Sequence, residues 1–288
     1  MPHCLSSSHI LDYCEVIALA GTPTGTIGGR LYRSGIAYTW TGNSALIRSG
    51  CLYAWLFERL AVKNANFCCL AVETATDFPS LALVRGAQVA VRGAEGLQAP
   101  SRGIYVWLQE LLEETGTRLD QLDCLAFGAG PGSFTGVRIA AALVQAVGFA
   151  CRLPVVSVST LAALANAGLR VSEADQVACC LDARMGQVYF ATYARDDEFG
   201  VRALKDDALL QPEEVSHAGL SSCFAAGSGW LAYPELRDRF SDVLTGLDAG
   251  LRPSATDVAA LAYPKFLRGQ TLAPALALPN YLRDRVTS

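Results

Sequence analysis

Leu122-Asp-Cys-Leu-Ala-Phe-Gly128-Ala-Gly130-Pro-Gly132-Ser-Phe-Thr-Gly136-Val-Arg138-Ile139 joins an apolar run, a glycine-rich loop and the start of an apolar helix. A strand that ends in such a loop and feeds a helix N-terminus brings backbone N–H groups close to a phosphate or to another backbone. The same pattern also serves as a tight strand-to-helix turn with no ligand. Two reactive versions are excluded. The loop lacks the Gly-Lys-Ser/Thr ending that lets a lysine reach a terminal phosphate. Pro131 stands where a Gly-x-Ser-x-Gly nucleophile elbow needs its first glycine.

On the N-terminal side of this stretch, Phe67–Thr74, Leu81–Arg85 and Gln88–Arg92 read as three short strands separated by turns, an antiparallel meander. Ser101–Thr115 reads as a helix with Ile104, Trp107, Leu108, Leu111 and Leu112 on one face and Gly116 as its stop. Leu122–Phe127 is a strand, Val137–Ala150 a helix and Val155–Val158 a strand. Ser159 is placed to cap a helix through Ala167. This βββαβαβα order is that of a ribonuclease-H-like, actin-like lobe. Val177–Asp182 then echoes Phe67–Glu73, and Phe224-Ala-Ala-Gly227-Ser-Gly229 echoes Phe127–Gly130. The expected fold class is α/β with two actin-like (ASKHA) lobes, residues 67–170 and a second, reduced lobe at 171–288.

Residues 1–66 read differently. They are rich in Ser, Thr and Gly, with a run of breakers at Gly21–Gly29, and Leu52–Leu60 suits one short helix. They are expected to be an extension, either disordered or the product of a start assigned too far upstream.

Composition narrows the function. The 288 residues are 51% hydrophobic and 17% charged, enough for two lobes. A net charge of −4, with no block of Lys or Arg, speaks against a dedicated nucleic-acid surface. The ten cysteines contain no Cys-x-x-Cys spacing. Cys68-Cys69 and Cys179-Cys180 are neighbours on strand-like runs, pointing to opposite faces, and read as small buried thiols. The three histidines, His3, His9 and His217, cannot build a metal cluster in the core, so no metal site is expected. No apolar run reaches the roughly 18 residues of a bilayer span, and the N-terminus makes a poor secretory signal, so a cytoplasmic protein is expected.

The string Gly-Ala-Gly-Pro-Gly-Ser-Phe-Thr-Gly-Val-Arg closely resembles the signature of the TsaB family of bacterial tRNA threonylcarbamoyladenosine biosynthesis proteins. Ala-Val-Glu73-Thr-Ala-Thr76, Leu-Asp182-Ala-Arg184-Met-Gly-Gln-Val-Tyr189 and Tyr281-Leu-Arg283 resemble it too. The resemblance spans about residues 67–288. It implies a subunit of the machinery that adds threonylcarbamoyl to adenosine 37 of tRNA, with a TsaD-like catalytic subunit and a TsaE-like ATPase as partners. It also implies a homodimer when the partner is missing and threonylcarbamoyl-adenylate as donor, with tRNA reached indirectly and no membrane involved. In actin-like ATPases, acids after the first strand of each lobe hold a metal–phosphate group. Glu73 and Asp182 occupy the corresponding places here, and Thr74, Gly130, Gly132, Ser133, Thr135 and Gly136 are the phosphate-loop candidates beside them. Asp182 equally suits a turn or cap. The catalytic TsaD relative carries a histidine pair on its first-lobe helix, and Ser101–Thr115 has none. The implied role is therefore a non-catalytic scaffold without a cofactor of its own, ATP or ADP at a partner interface being the alternative. The rival is an active ATPase or phosphotransferase using Glu73, Asp182 and the Gly130–Gly136 loop. A peptidase would need a nucleophile–base pair, which is missing.

On the loop's helix, Ala140, Leu143, Val144 and Val147 share the core face. Arg138, Ala141, Ala142, Gln145 and Phe149 form a dry, small-residue stripe on the other. With Tyr105 and Val106 of the preceding helix they are the expected partner interface, packing within the chain being the alternative.

Overall fold

The computed structural model describes residues 15–19, 27–33, 36–42, 67–86, 88–93 and 103–283. Within the expected N-terminal extension, β1 (Glu15–Leu19), β2 (Ile27–Arg33) and β3 (Ile36–Gly42) form an antiparallel three-stranded sheet. Gly28 and Gly29 of the breaker run are ladder residues of β2. The expected helix at Leu52–Leu60 lies outside the described residues.

The first lobe follows as β4 (Cys68–Glu73), β5 (Ser80–Arg85), β6 (Gln88–Gly93), α1 (Gly103–Thr115), β7 (Cys124–Gly128), α2 (Phe134–Cys151), β8 (Val155–Val158) and α3 (Thr160–Val171). The second has β9 (Gln176–Asp182), β10 (Val188–Asp196), β11 (Gly200–Leu210), β12 (Cys223–Ala226), α4 (Gly229–Ala232), α5 (Glu235–Arg239), β13 (Leu244–Asp248) and α6 (Ala255–Leu267). The sheet orders are β6-β5-β4-β7-β8 and β11-β10-β9-β12-β13. Each sheet joins an antiparallel meander to two parallel strands. The two sheets are therefore topological copies. What is reduced in the second lobe is its outer helical cover, only the short α4 and α5 over Trp230, Leu236 and Phe240.

Local signals act as expected at several ends. Gly116, at φ +60°, closes α1, with Thr117 N–H donating to Leu112 O at 3.0 Å. The Ser159 hydroxyl accepts from Leu161 and Ala162 N–H at the start of α3. Two boundaries differ. α2 starts at Phe134, capped by Ser133, so Gly136 belongs to its first turn rather than to the loop. α3 runs through Gly168 to Val171. A Cβ at Gly168 would lie 3.0 Å from Val177, so this glycine permits close approach to β9 instead of stopping the helix.

The packing crosses the expected lobe division at residue 170. α3 lies against β9–β12 of the second sheet, and α6 crosses back onto β4, β5, β7 and β8 of the first. The two helices also touch each other, so one apolar core, with Ala71, Val158, Leu164, Val177, Ala226 and Leu261, is shared by both lobes. α1 and α2 cover the outer face of the first sheet.

α2 corrects the expectation about apolar length. Its 18 residues, with mean hydropathy 1.6, are long and apolar enough to cross a membrane. Its apolar side is buried on the sheet by Val137, Ala140, Leu143, Val144 and Val147, as in the core helix of a globular domain. The seven described cysteines are all free, and six are buried.

Candidate functional site

The glycine loop lies where β4 and β7 end side by side, and its glycines are needed because β4's exit fills the space beneath them. A Cβ on Gly128 would stand 1.9 Å from Glu73 Oε2. One on Gly132 would stand 2.4 Å from Ala75 O, and one on Gly136 1.8 Å from Thr74 O. Ser133 N–H donates to Ala75 O at 2.7 Å, and the Thr74 hydroxyl donates to Gly136 O at 2.7 Å. From the other side, Asn280 N–H donates to Ala129 O and Thr160 N–H to Gly130 O. The space beneath the loop is taken by the chain itself.

Glu73 is wholly buried. Ala75 N–H donates to its Oε1 at 2.7 Å and the Thr160 hydroxyl to its Oε2 at 3.0 Å. Burial pushes its carboxyl up to about 7, against those hydrogen bonds, with the Asp257 charge adding to the rise. The carboxyl group thus lies between the end of β4, the loop and the N-terminus of α3. Thr74 is buried beside it, whereas Ser133 and Thr135 are exposed. Asp182 sits elsewhere, in the β9–β10 hairpin of the second lobe. It accepts from Arg184 N–H at 2.8 Å and lies 3.4 Å from the Tyr233 hydroxyl, which is the turn role. The fit to a nucleotide phosphate is therefore poor at both acids. Among the described residues, no three His, Cys, Asp or Glu cluster as metal ligands.

The expected interface residues divide into two sets. Tyr105, Val106 and Phe149 are 55%, 54% and 63% exposed, and Ala142 is exposed between them in sequence. Ala141, however, is only 5% exposed. The C-terminal segment turns through Pro274–Leu276 over α2, burying Ala277 entirely, and Gln145 Nε2 donates to Ala277 O at 3.1 Å. Part of the small-residue stripe is therefore a seat for this chain's own tail. Arg138 donates through Nε to the Tyr281 hydroxyl at 2.7 Å and lies 3.4 Å over the Phe134 ring. A groove of about 350 Å³ remains, lined by Arg138, Ala142, Gln145, Leu278 and Tyr281.

Two polar clusters between the lobes have no sequence signal. Asp207 of β11 accepts from the Ser159 and Tyr193 hydroxyls, each at 2.6 Å, and its carboxyl is pushed up by burial. Asp257 of α6 is wholly buried and accepts from Asn166 at 2.9 Å and Arg170 at 3.1 Å, both on α3. Buried carboxylates need such partners. The sequence shows the acids but not the helix crossing that brings their donors to them.

The family described as TsaD, tRNA N6-adenosine threonylcarbamoyltransferase, matches residues 98–261. The tRNA threonylcarbamoyladenosine biosynthesis protein TsaB of Haemophilus influenzae is 34% identical over 230 residues, 77% of this chain and 96% of that protein. TsaB of Escherichia coli is 36% identical over 221 residues, 75% of this chain and 95% of its own. Among solved structures, YeaZ from Pseudomonas aeruginosa superposes with a TM-score of 0.69 at 35% identity, covering 75% of this chain and all of that one. With two lobes of one topology, the glycine-loop signature intact and near-complete coverage of these relatives, the chain belongs to the TsaB family of tRNA threonylcarbamoyladenosine biosynthesis proteins.

Proposed function

We infer that this protein serves tRNA threonylcarbamoyladenosine biosynthesis as a non-catalytic scaffold. On this reading it presents the outer face of α1 and α2 to a TsaD-like catalytic subunit, with a TsaE-like ATPase as further partner. The observation that supports the reading is the filled glycine loop: Glu73, Thr74 and Ala75 take up the space beneath Gly128, Gly136 and Gly132. A loop packed in this way supports a role in shape. Exposed Tyr105, Val106 and Phe149 on the helices above it supply apolar surface for association.

The purified full chain is expected to hydrolyse ATP at no more than background rate. Steady turnover that disappears in a folded Glu73→Gln variant would overturn the scaffold reading and favour an ATPase.

Two substitutions one residue apart test the docking face. Ala142 is exposed on α2, whereas Leu143 is 1% exposed and packs on the sheet. Ala142→Arg places a long cation at the contact. Overpacking of about 1–3 kcal/mol predicts roughly 5- to 150-fold weaker partner binding, with the isolated chain's melting temperature nearly unchanged. Leu143→Ala should instead cost about 2–5 kcal/mol of folding stability. Partner titration and thermal melts separate the two. An Ala142→Arg variant that binds its partner normally would move the interface off α2.

A further inference from the structure

We propose that a patch bridging the two lobes, built from Phe134, Arg138 and Tyr281 on one side and Arg184, Met185 and Arg283 on the other, contacts the RNA substrate directly. The proposal rests on the assignment to tRNA threonylcarbamoyladenosine biosynthesis and extends it, since composition by itself points to tRNA contacts through a partner only.

Three observations support it. The first is continuity. Tyr281 packs on the first lobe, its ring 5.9 Å from Phe134 and its hydroxyl bonded to Arg138. Two residues on, Arg283 reaches the second lobe, donating to Ala183 O at 3.1 Å, to Gln187 Oε1 at 2.9 Å and to Met185 Sδ. The tail therefore joins the helix that follows the glycine loop to the β9–β10 hairpin.

The second is presentation. Arg184 and Met185 hold left-handed backbone angles, φ +62° and +55°, followed by Gly186 at +75°. Consecutive non-glycine residues in this region are held only where their surroundings enforce it. Here Asp182 bonds Arg184 N–H and Arg283 braces the turn. The result puts the Arg184 side chain 87% in solvent and leaves Met185 66% exposed. Phe134 and Tyr281 are 48% and 45% exposed.

The third is chemistry. Among the described residues, Arg138 and Arg283 bond only neutral groups, a phenol, a ring face, carbonyls, an amide and a thioether, so their charges are not cancelled by a paired carboxylate. Arg184 pairs loosely with Asp182 at 3.4 Å. On a chain of net charge −4 this is a local concentration of cations. Guanidinium groups neutralise phosphates, and exposed aromatic rings stack on unpaired bases. Arginine and tyrosine also anchor protein interfaces, but guanidinium charges left without a paired carboxylate favour a polyanion. Cations interleaved with open rings fit the loop of an RNA.

The test uses the full chain co-purified with its TsaD-like partner and an unmodified tRNA transcript. Affinity is measured across a salt series for wild type, Arg184→Ala and Arg184→Lys. The exposed Arg184 side chain supports little of the fold, so the variants should assemble normally. Arg184→Ala is expected to weaken tRNA binding and reduce the slope of log affinity against log salt by about 1, as loss of one phosphate contact does. Arg184→Lys should retain most of the slope. Ultraviolet cross-linking should place nucleotide adducts on the peptides carrying Phe134 and Tyr281. Unchanged binding in Arg184→Ala, or adducts confined to the partner, would overturn the proposal while leaving the biosynthetic assignment standing. Loss of the partner from Arg184→Ala, with tRNA affinity unaltered, would mark a protein interface and overturn it too. A wild-type complex that binds no tRNA would overturn both readings.

Discussion

Asp257→Ala is expected to destabilise the protein by about 3–5 kcal/mol, the cost of breaking a buried ion pair by removing one partner. Asp257 is wholly buried on α6 and bonds Asn166 and Arg170 of α3. The Arg170 side chain is 5% exposed, so removing the carboxylate takes a buried ion-pair and hydrogen-bond partner from its guanidinium. The loss falls on the crossing of α3 and α6, where each lobe's sheet is covered by the other lobe's helix. Both lobes should therefore loosen together, in one transition with a lower midpoint. Against a typical total of about 5–15 kcal/mol the loss is large, and roughly 10 °C in melting temperature follows at about 2–4 °C per kcal/mol. Replacing both members, Asp257→Leu with Arg170→Met, should recover much of it, because no charge is then left buried. Thermal and urea unfolding of the three proteins decide the matter. A single variant that costs under about 1 kcal/mol would mean that the crossing is held by packing alone.

Glu73→Gln is expected to change the pH dependence of stability instead of simply lowering it. The folded carboxyl titrates near 7, above its ordinary 4.5, because it is buried. Below about pH 4.5 both folded and unfolded chains carry the proton, and stability is complete. Between about 4.5 and 7 the unfolded chain ionises while the folded one keeps its proton, so stability falls as pH rises. Above 7 the loss is complete, on the order of 3 kcal/mol, since each tenfold difference in proton affinity between the two states is worth about 1.4 kcal/mol. Glutamine cannot ionise, and its carbonyl can still accept from Ala75 N–H. The variant should therefore match or slightly trail the wild type at pH 5 and exceed it at pH 8. The measurement is urea unfolding of both proteins at the two pH values. A stability gap that stays constant with pH would show that Glu73 is already ionised in the folded protein throughout that range.

Much of this architecture is legible one segment at a time. Apolar strand-like runs, Gly116 as a helix stop and Ser159 as a cap are local properties. They act within a few residues, so they place the elements of the first lobe correctly. The repeat of Phe67–Glu73 in Val177–Asp182 likewise points to the second sheet, and both runs do become the central strands β4 and β9. The loop's signature locates the family. Other features are not local. The helix expected to run through Ala167 continues to Val171, with Gly168 letting β9 approach to 3.0 Å of where a Cβ would be. Gln145 reads as part of an open stripe until Ala277 O, more than a hundred residues away, accepts its side-chain N–H. Asp207 carries no signal because its donors, Ser159 and Tyr193, come from two other elements.

Residue order alone settles the succession of elements, the two-lobe α/β class, the family and the lack of a lysine, histidine pair or nucleophile elbow at the glycine loop. These depend on residue type, spacing and the backbone preferences of near neighbours. It takes the folded chain to establish that the loop is filled by Glu73, Thr74 and Ala75, that α3 and α6 exchange sheets, and that the tail carries Tyr281 and Arg283 across both lobes. Each of those depends on which distant surface comes to lie against a residue. Periodicity reports that a side chain will be covered, but not by what.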